Sequence, residues 1–163
     1  MILGAMACHS GPQQQEQRPD ECGDQFALAV PCNGSSALCE RPYDQVAHLT
    51  THNAMSNAAD GWFWPNQNYG IERQLTDGVR ALMIDTHYDE STTPPTPSLC
   101  HGHCALGAVR LEEALTSIGD FLRCNPQQVL TLIIEDYISA EDTRAAFETT
   151  SLVEFAYTHE VGT

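Results

Sequence analysis

The chain has 163 residues, 42% of them apolar, which is enough for one domain with a core of its own and no more. Seven arginines and no lysine face 22 acids, a formal net charge of −15, which argues against a nucleic-acid partner and against electrostatic attraction to anionic membranes. A phosphate-bearing ligand would need local positive charge, supplied by one of the scarce arginines or by a metal ion.

The N-terminus Met1-Ile2-Leu3-Gly4-Ala5-Met6-Ala7-Cys8 has the small-residue ending of a bacterial lipoprotein signal, but no basic start and too short an apolar segment. Read as a shortened export leader, it makes Cys8 a lipidation site and residues 11–21 a polar, glutamine-rich tether. Export agrees with the cysteine content. Seven cysteines without a CxxC pair favour disulfides over zinc. With Cys8 set aside, six remain. The expected organisation is a leader and tether over 1–21, a cysteine-containing segment over 22–44, and the main domain over 45–163.

Within 32–39, Cys32-Asn33-Gly34-Ser35-Ser36-Ala37-Leu38-Cys39 is a turn-rich loop whose ends can close through a disulfide. Residues 44–51 read as a first strand ending at His52. A long loop follows, rich in amides and containing Trp62, Phe63 and Trp64, either as a lipid-facing tip or as cover for a rim. A short helix is expected over 71–78, closed by Gly78. Residues 79–85 form a near-continuous apolar run, as a strand buried on both faces does. The Ser-, Thr- and Pro-rich stretch 89–97 reads as an exposed loop.

The clearest helix is 109–123. Leu111, Ala114, Leu115, Ile118, Phe121 and Leu122 recur at three- and four-residue spacing, and Asn125-Pro126 stops it. Residues 129–134 form a third strand, and Ser139 caps a last helix with Glu141 and Asp142 in its first turn. No run of about 18 apolar residues is present. Alternating strands and helices predict an α/β fold with a parallel sheet.

All three expected strands end polar, at His52-Asn53, at Asp85 with His87, and at Glu135-Asp136. Parallel strands bring such ends to one edge of the sheet, where α/β proteins build their sites. Two histidines near neutral pH can divide general base and general acid roles. Asn53, Asp85 and Glu135 are hard oxygen donors of the kind that suits a divalent cation. His48, His103 and His159 read as structural. Zinc on Cys100, His101, His103 and Cys104 is disfavoured because the four are too closely spaced for a tetrahedral site.

Four motifs occur in order: Thr51-His52-Asn53-Ala54-Met55-Ser56; Gly78-Val79-Arg80 leading to Ile84-Asp85; Leu99-Cys100-His101-Gly102; and Asn125-Pro126 leading to Ile134-Glu135-Asp136-Tyr137. Together they are similar to the X domain of phosphatidylinositol-specific phospholipases C, within the PLC-like phosphodiesterase superfamily. That resemblance runs from about residue 32 to 159 and implies a TIM-barrel-like fold of which this length supplies the N-terminal half, since a full barrel takes roughly 250 residues. It implies a phosphoric diester hydrolase acting on a phospholipid or related phosphodiester, with His52 as general base and His101 as general acid. It implies calcium on Asn53, Asp85 and Glu135, although the acid that the metal-dependent pattern has two residues before the aspartate is Met83 here. Arg80 and His87 are the candidate substrate-binding residues; a scaffold ion pair is the competing reading for Arg80. Peripheral membrane contact is expected through the Trp62-Phe63-Trp64 loop, and the leader with the cysteines implies an exported protein that is extracellular, periplasmic or lipid-anchored at a bacterial cell surface. The alternative is a catalytically inert fragment or binding module built on the same fold.

Overall fold

A computed structural model describes residues 2–4, 22, 28 and 30–158. Cys8, most of the expected tether and His159 lie outside the described residues. Among the described residues, six strands and three α-helices occur in the order β1 (Ile2–Gly4), β2 (Thr50–Thr51), α1 (Ile71–Thr76), β3 (Ala81–Asp89), β4 (Thr96–Leu99), β5 (Val109–Arg110), α2 (Leu111–Cys124), β6 (Val129–Asp136) and α3 (Ala140–Thr149).

The expected α/β class holds. β2, β3 and β6 are parallel, with β2–α1–β3 and β3–α2–β6 as the two crossover units, so helices alternate with strands as the sequence predicts. The sheet is nevertheless mixed. Its order is β1–β6–β3–β4–β5, with β2 also on β3; β1 adds antiparallel to β6, while β4 and β5 add antiparallel on the other side. β2 and β4 share one edge of β3, β2 along its start and β4 along its end.

Three expectations need correcting. Residues 44–51 do not form one strand: Tyr43–Gln45 is a 3₁₀ turn and only Thr50–Thr51 joins the ladder. Ladder pairing with β3 starts at Ala81, so residues before Thr50 have no strand beside them, and Leu49 points its side chain into solvent at 63% exposure. The stretch 89–97 is not all loop, since Thr96–Leu99 pairs with Thr86–Asp89. The helix expected from 109 begins two residues later, because Val109–Arg110 is taken up as β5.

α2 supplies the core. Its six periodic apolar residues are all buried and pack with Leu82, Ile84, Leu130 and Leu132 of β3 and β6. Each fully buried leucine or isoleucine contributes about 1.5–3 kcal/mol, so Phe121→Ala, which opens a void at 0% exposure, would cost about 3–5 kcal/mol. Glu112 and Glu113 complement the positive N-terminal end of α2. Ser139 Oγ accepts from Asp142 N at 3.0 Å, as expected of the α3 cap.

Side chains alternate across the sheet. Leu82, Ile84, Leu130 and Leu132 face the helices and are buried, whereas Ile133 on the opposite face is 42% exposed. That second face is open, and it carries the functional groups. Disulfides Cys32–Cys39, Cys100–Cys104 and Cys22–Cys124 use all six cysteines left after Cys8. The last one, together with Asn33 bonded to both N and O of Val129, fastens the N-terminal segment to the α2–β6 end.

Candidate active site

The parallel strand ends converge as their order requires. A pocket of about 230 Å³ on the open face is lined by His52 and Asn53 after β2, Asp85 and His87 of β3, His101 and Gly102 after β4, and Glu135 and Tyr137 at the end of β6. Both expected acid/base histidines and all three expected oxygen donors therefore share one cavity.

Register explains the carboxylates. Asp85 pairs directly with Glu135 on the neighbouring parallel strand, so both side chains leave the same face one strand spacing apart, ~4.8 Å. Asp85 is 7% exposed. Burial, reinforced by the Glu135 charge, pushes its carboxyl above the usual aspartate value, while His101, His87 and His52, in that order, pull it back. Asp136, one residue on, faces the other way and accepts from Thr86 Oγ1 and Thr143 Oγ1.

His87, two residues beyond Asp85, stacks on Tyr137, with ring centroids 4.6 Å apart and planes 12° from parallel. Its Nε2 is buried without a hydrogen-bond partner among the described residues. Tyr137 donates its hydroxyl to Glu135 Oε2 at 3.1 Å, and this bond together with the carboxylate charge raises the phenol above its ordinary range.

The two histidine loops are built differently. His52 accepts from Gln67 Nε2 through its carbonyl at 2.7 Å, and Asn53, at φ 48°, donates its amide to Asn66 Oδ1 at 3.4 Å. Ser56 O receives the backbone N–H groups of both Asn66 and Gln67. His101 lies instead inside the five-residue ring closed by Cys100–Cys104, with Gly102 at φ 75° making the turn.

Arg80 lies away from the pocket. At 4% exposure it donates Nη1 to the carbonyls of Leu75 and Val79 and Nε to Gln128 Oε1, and its guanidinium lies over the Phe121 ring. Burial lowers its pKa to about 10. The scaffold reading of Arg80 thus describes its surroundings, with carbonyls and an amide in place of the expected acid, and substrate binding by Arg80 is not retained. The aromatic loop splits. Trp62 is buried on Gly107, where a Cβ would stand 2.3 Å from the indole, while Phe63 and Trp64 are 66% and 80% exposed.

Asn53, Asp85 and Glu135 fit a hard cation in donor type. The fit is incomplete, because Met83 supplies a thioether where the strand would need another oxygen, and no three His, Cys, Asp or Glu side chains form a metal-holding group among the described residues. Tyr137, Gly102 and the Asn66-Gln67 pair were not singled out as site residues by the sequence. Tyr137 had a readable signal, since it stands two residues after Glu135 on the same strand face.

The family model for PI-PLC X 1 matches residues 38–162. The chain belongs to the PI-PLC X family. The PI-PLC X match covers both histidine loops and all three parallel strands. Among curated proteins, the chain is 33% identical over 131 residues to an uncharacterized secreted protein of Arthroderma benhamiae, covering 78% of this chain and 28% of that one. It is 36% identical over 115 residues to a PI-PLC X domain-containing protein of Arabidopsis thaliana, covering 60% and 25%. A PI-PLC X domain-containing protein of Arthroderma benhamiae is 30% identical over 104 residues, covering 63% and 32%. The chain thus spans a quarter to a third of the length of these curated relatives. No solved structure matches it significantly.

Proposed function

We propose that this chain carries the site of an extracellular phosphoric diester hydrolase that cleaves a phospholipid or related phosphodiester by histidine acid–base catalysis. One observation carries the reading: His52 and His101, about fifty residues apart in sequence, line one cavity together with the Asp85–Glu135 pair. Family membership adds to it, and three disulfides together with a relative described as secreted support the extracellular setting.

The reaction balances as an internal displacement. His52 takes the proton of a substrate hydroxyl, whose oxygen forms a new bond to phosphorus. The bond from phosphorus to the leaving alcohol breaks, and His101 returns a proton to that alcohol. The product is a cyclic phosphodiester, open to later attack by water. Asp85 steadies the imidazolium forms, and His87 with its unpartnered Nε2 is the group offered to a phosphoryl oxygen. Calcium held by Asn53, Asp85 and Glu135 would supply positive charge to the phosphoryl group. With Met83 in place of an acid, the ion would bind weakly, with a Kd on the order of 10⁻⁴–10⁻³ M as in extracellular calcium modules. Phe63 and Trp64 would enter the interface of a neutral bilayer, for which the net charge of −15 is no obstacle.

A fluorogenic inositol phosphodiester tests the reading. Turnover that falls at least tenfold in chelator, recovers in millimolar calcium and disappears in His52→Ala is the expected result. Absence of turnover above His52→Ala sinks it. The exposure of Ile133 on the open sheet face favours one second reading, an inert binding module on the same fold. That reading expects calcium or phosphodiester binding without turnover.

A further inference from the structure

We infer that the Cys100–Cys104 disulfide is the positioning device of the acid histidine, a role that rests on the proposed assignment of His101 and that neither other disulfide shares. His101, Gly102 and His103 are all exposed. The His101 imidazole has no hydrogen bond among the described residues, and the backbone bonds of the turn are local, from His103 N to His101 O, Leu106 N to His103 O and Gly107 N to Cys104 O. An exposed three-residue loop with a glycine at its centre has many conformations open to it. A general acid must nevertheless sit within hydrogen-bond reach of the leaving oxygen.

The ring supplies the constraint that packing does not. Cys100 is fully buried at the end of β4, and its N–H donates to the Asp85 carbonyl at 3.2 Å. Cys104 returns to the same strand, with Sγ 3.9 Å from the Tyr88 carbonyl. The ring is therefore anchored to β3 through Cys100, the disulfide holds Cys104 to that anchor, and His101 lines the cavity together with Asp85. Closing so short a ring removes most of the loop's alternatives before substrate arrives, which is the preorganisation a catalytic group needs. The contrast with Cys32–Cys39 is direct: that ring closes a turn carrying no pocket residue.

The test is a Cys100→Ala/Cys104→Ala variant, with Cys104→Ala alone as the milder form and Cys32→Ala/Cys39→Ala as control. Two inositol phosphodiesters are compared. One has an alkyl leaving group that needs protonation; the other has a nitrophenyl group that departs without it. The expected result is a loss of ~10²-fold in kcat on the alkyl ester, the low end of general-acid effects, with less than fivefold on the aryl ester, KM within threefold, and both rates kept in the control. Equal loss on both esters, or none on either, overturns the role. A second readout does not need catalysis. The His101 backbone order parameter should fall from about 0.85 to below 0.6 in the variants, and an unchanged value overturns the inference. If the unaltered protein turns over neither ester, the proposed function fails, while the order parameter still decides what the ring does.

Discussion

The loops carrying His52 and His101 reach the same cavity by opposite means. The His52 loop is held by amides: Gln67 to the His52 carbonyl, Asn66 to Asn53, and backbone bonds from the same two residues to Ser56. The His101 loop is short, exposed and held by a covalent ring. Sixteen residues, from His52 to Gln67, provide enough partners for a network of hydrogen bonds; five do not, and a disulfide takes over. Immobility at a site can thus come from many weak bonds or one strong one, depending on how much chain is available.

The two loops differ most sharply at their imidazoles. His52→Ala and His101→Ala should each lower kcat on an alkyl phosphodiester by about 10²–10⁴-fold. Only His52→Ala should be equally damaging on a nitrophenyl ester, where the leaving group needs no proton. If the two variants behave alike on both esters, the division into base and acid is wrong.

Arg80→Ala comes next and should act on the fold alone. Removing a buried guanidinium that bonds two carbonyls and Gln128 should cost roughly 2–3 kcal/mol, seen in urea unfolding. kcat of the remaining folded protein should not change. A large rise in KM with intact stability would return Arg80 to the substrate.

Gln67→Ala then probes the amide-held loop. It removes one bond to the His52 carbonyl, and kcat should fall about tenfold, the value of roughly 1.4 kcal/mol in a barrier. It should leave the His101 order parameter untouched. Movement at His101 would mean that the two loops are one unit.

Asp85→Asn is the smallest and has a definite sign in stability. The folded carboxyl is raised above its unfolded value, chiefly by burial and then by Glu135. The stability linked to its proton is therefore complete below the unfolded value and is lost as pH climbs through the folded one. Asn carries no such loss, so the variant should melt roughly a degree or two higher at pH 7 and show no gain near pH 3. Scanning calorimetry at the two pH values checks this, and a lower melting temperature at pH 7 would show that Asp85 is stabilised by its neighbours as an anion.

Much of this was readable in the chain because the signals were local. The α2 stripe, the Ser139 cap and the apolar runs ending at Asp85 and Glu135 each state their structure within one element, and parallel topology turns three polar strand ends into one pocket. β4 was not readable, since Pro97 and Ser98 look like loop residues, and its strand character comes from the free edge of β3 beyond β2. Residues 44–49 failed in the opposite sense, having a strand-like sequence with no edge beside it. Cys22–Cys124 joins residues 102 apart, and no spacing rule selects that pair. Trp62 and Trp64 differ by contact alone: one meets the bare backbone of Gly107 and the other meets nothing large enough to cover it.

That same long disulfide makes most of the molecule a closed loop. The exposed stretch 90–95 lies inside it, between the paired strands β3 and β4. A protease nick there would release nothing: the two pieces would run as one band on an unreduced gel and as two after thiol treatment. The stretch is therefore an insertion point, where a tag or reporter can be spliced in with both halves of the site still tied together.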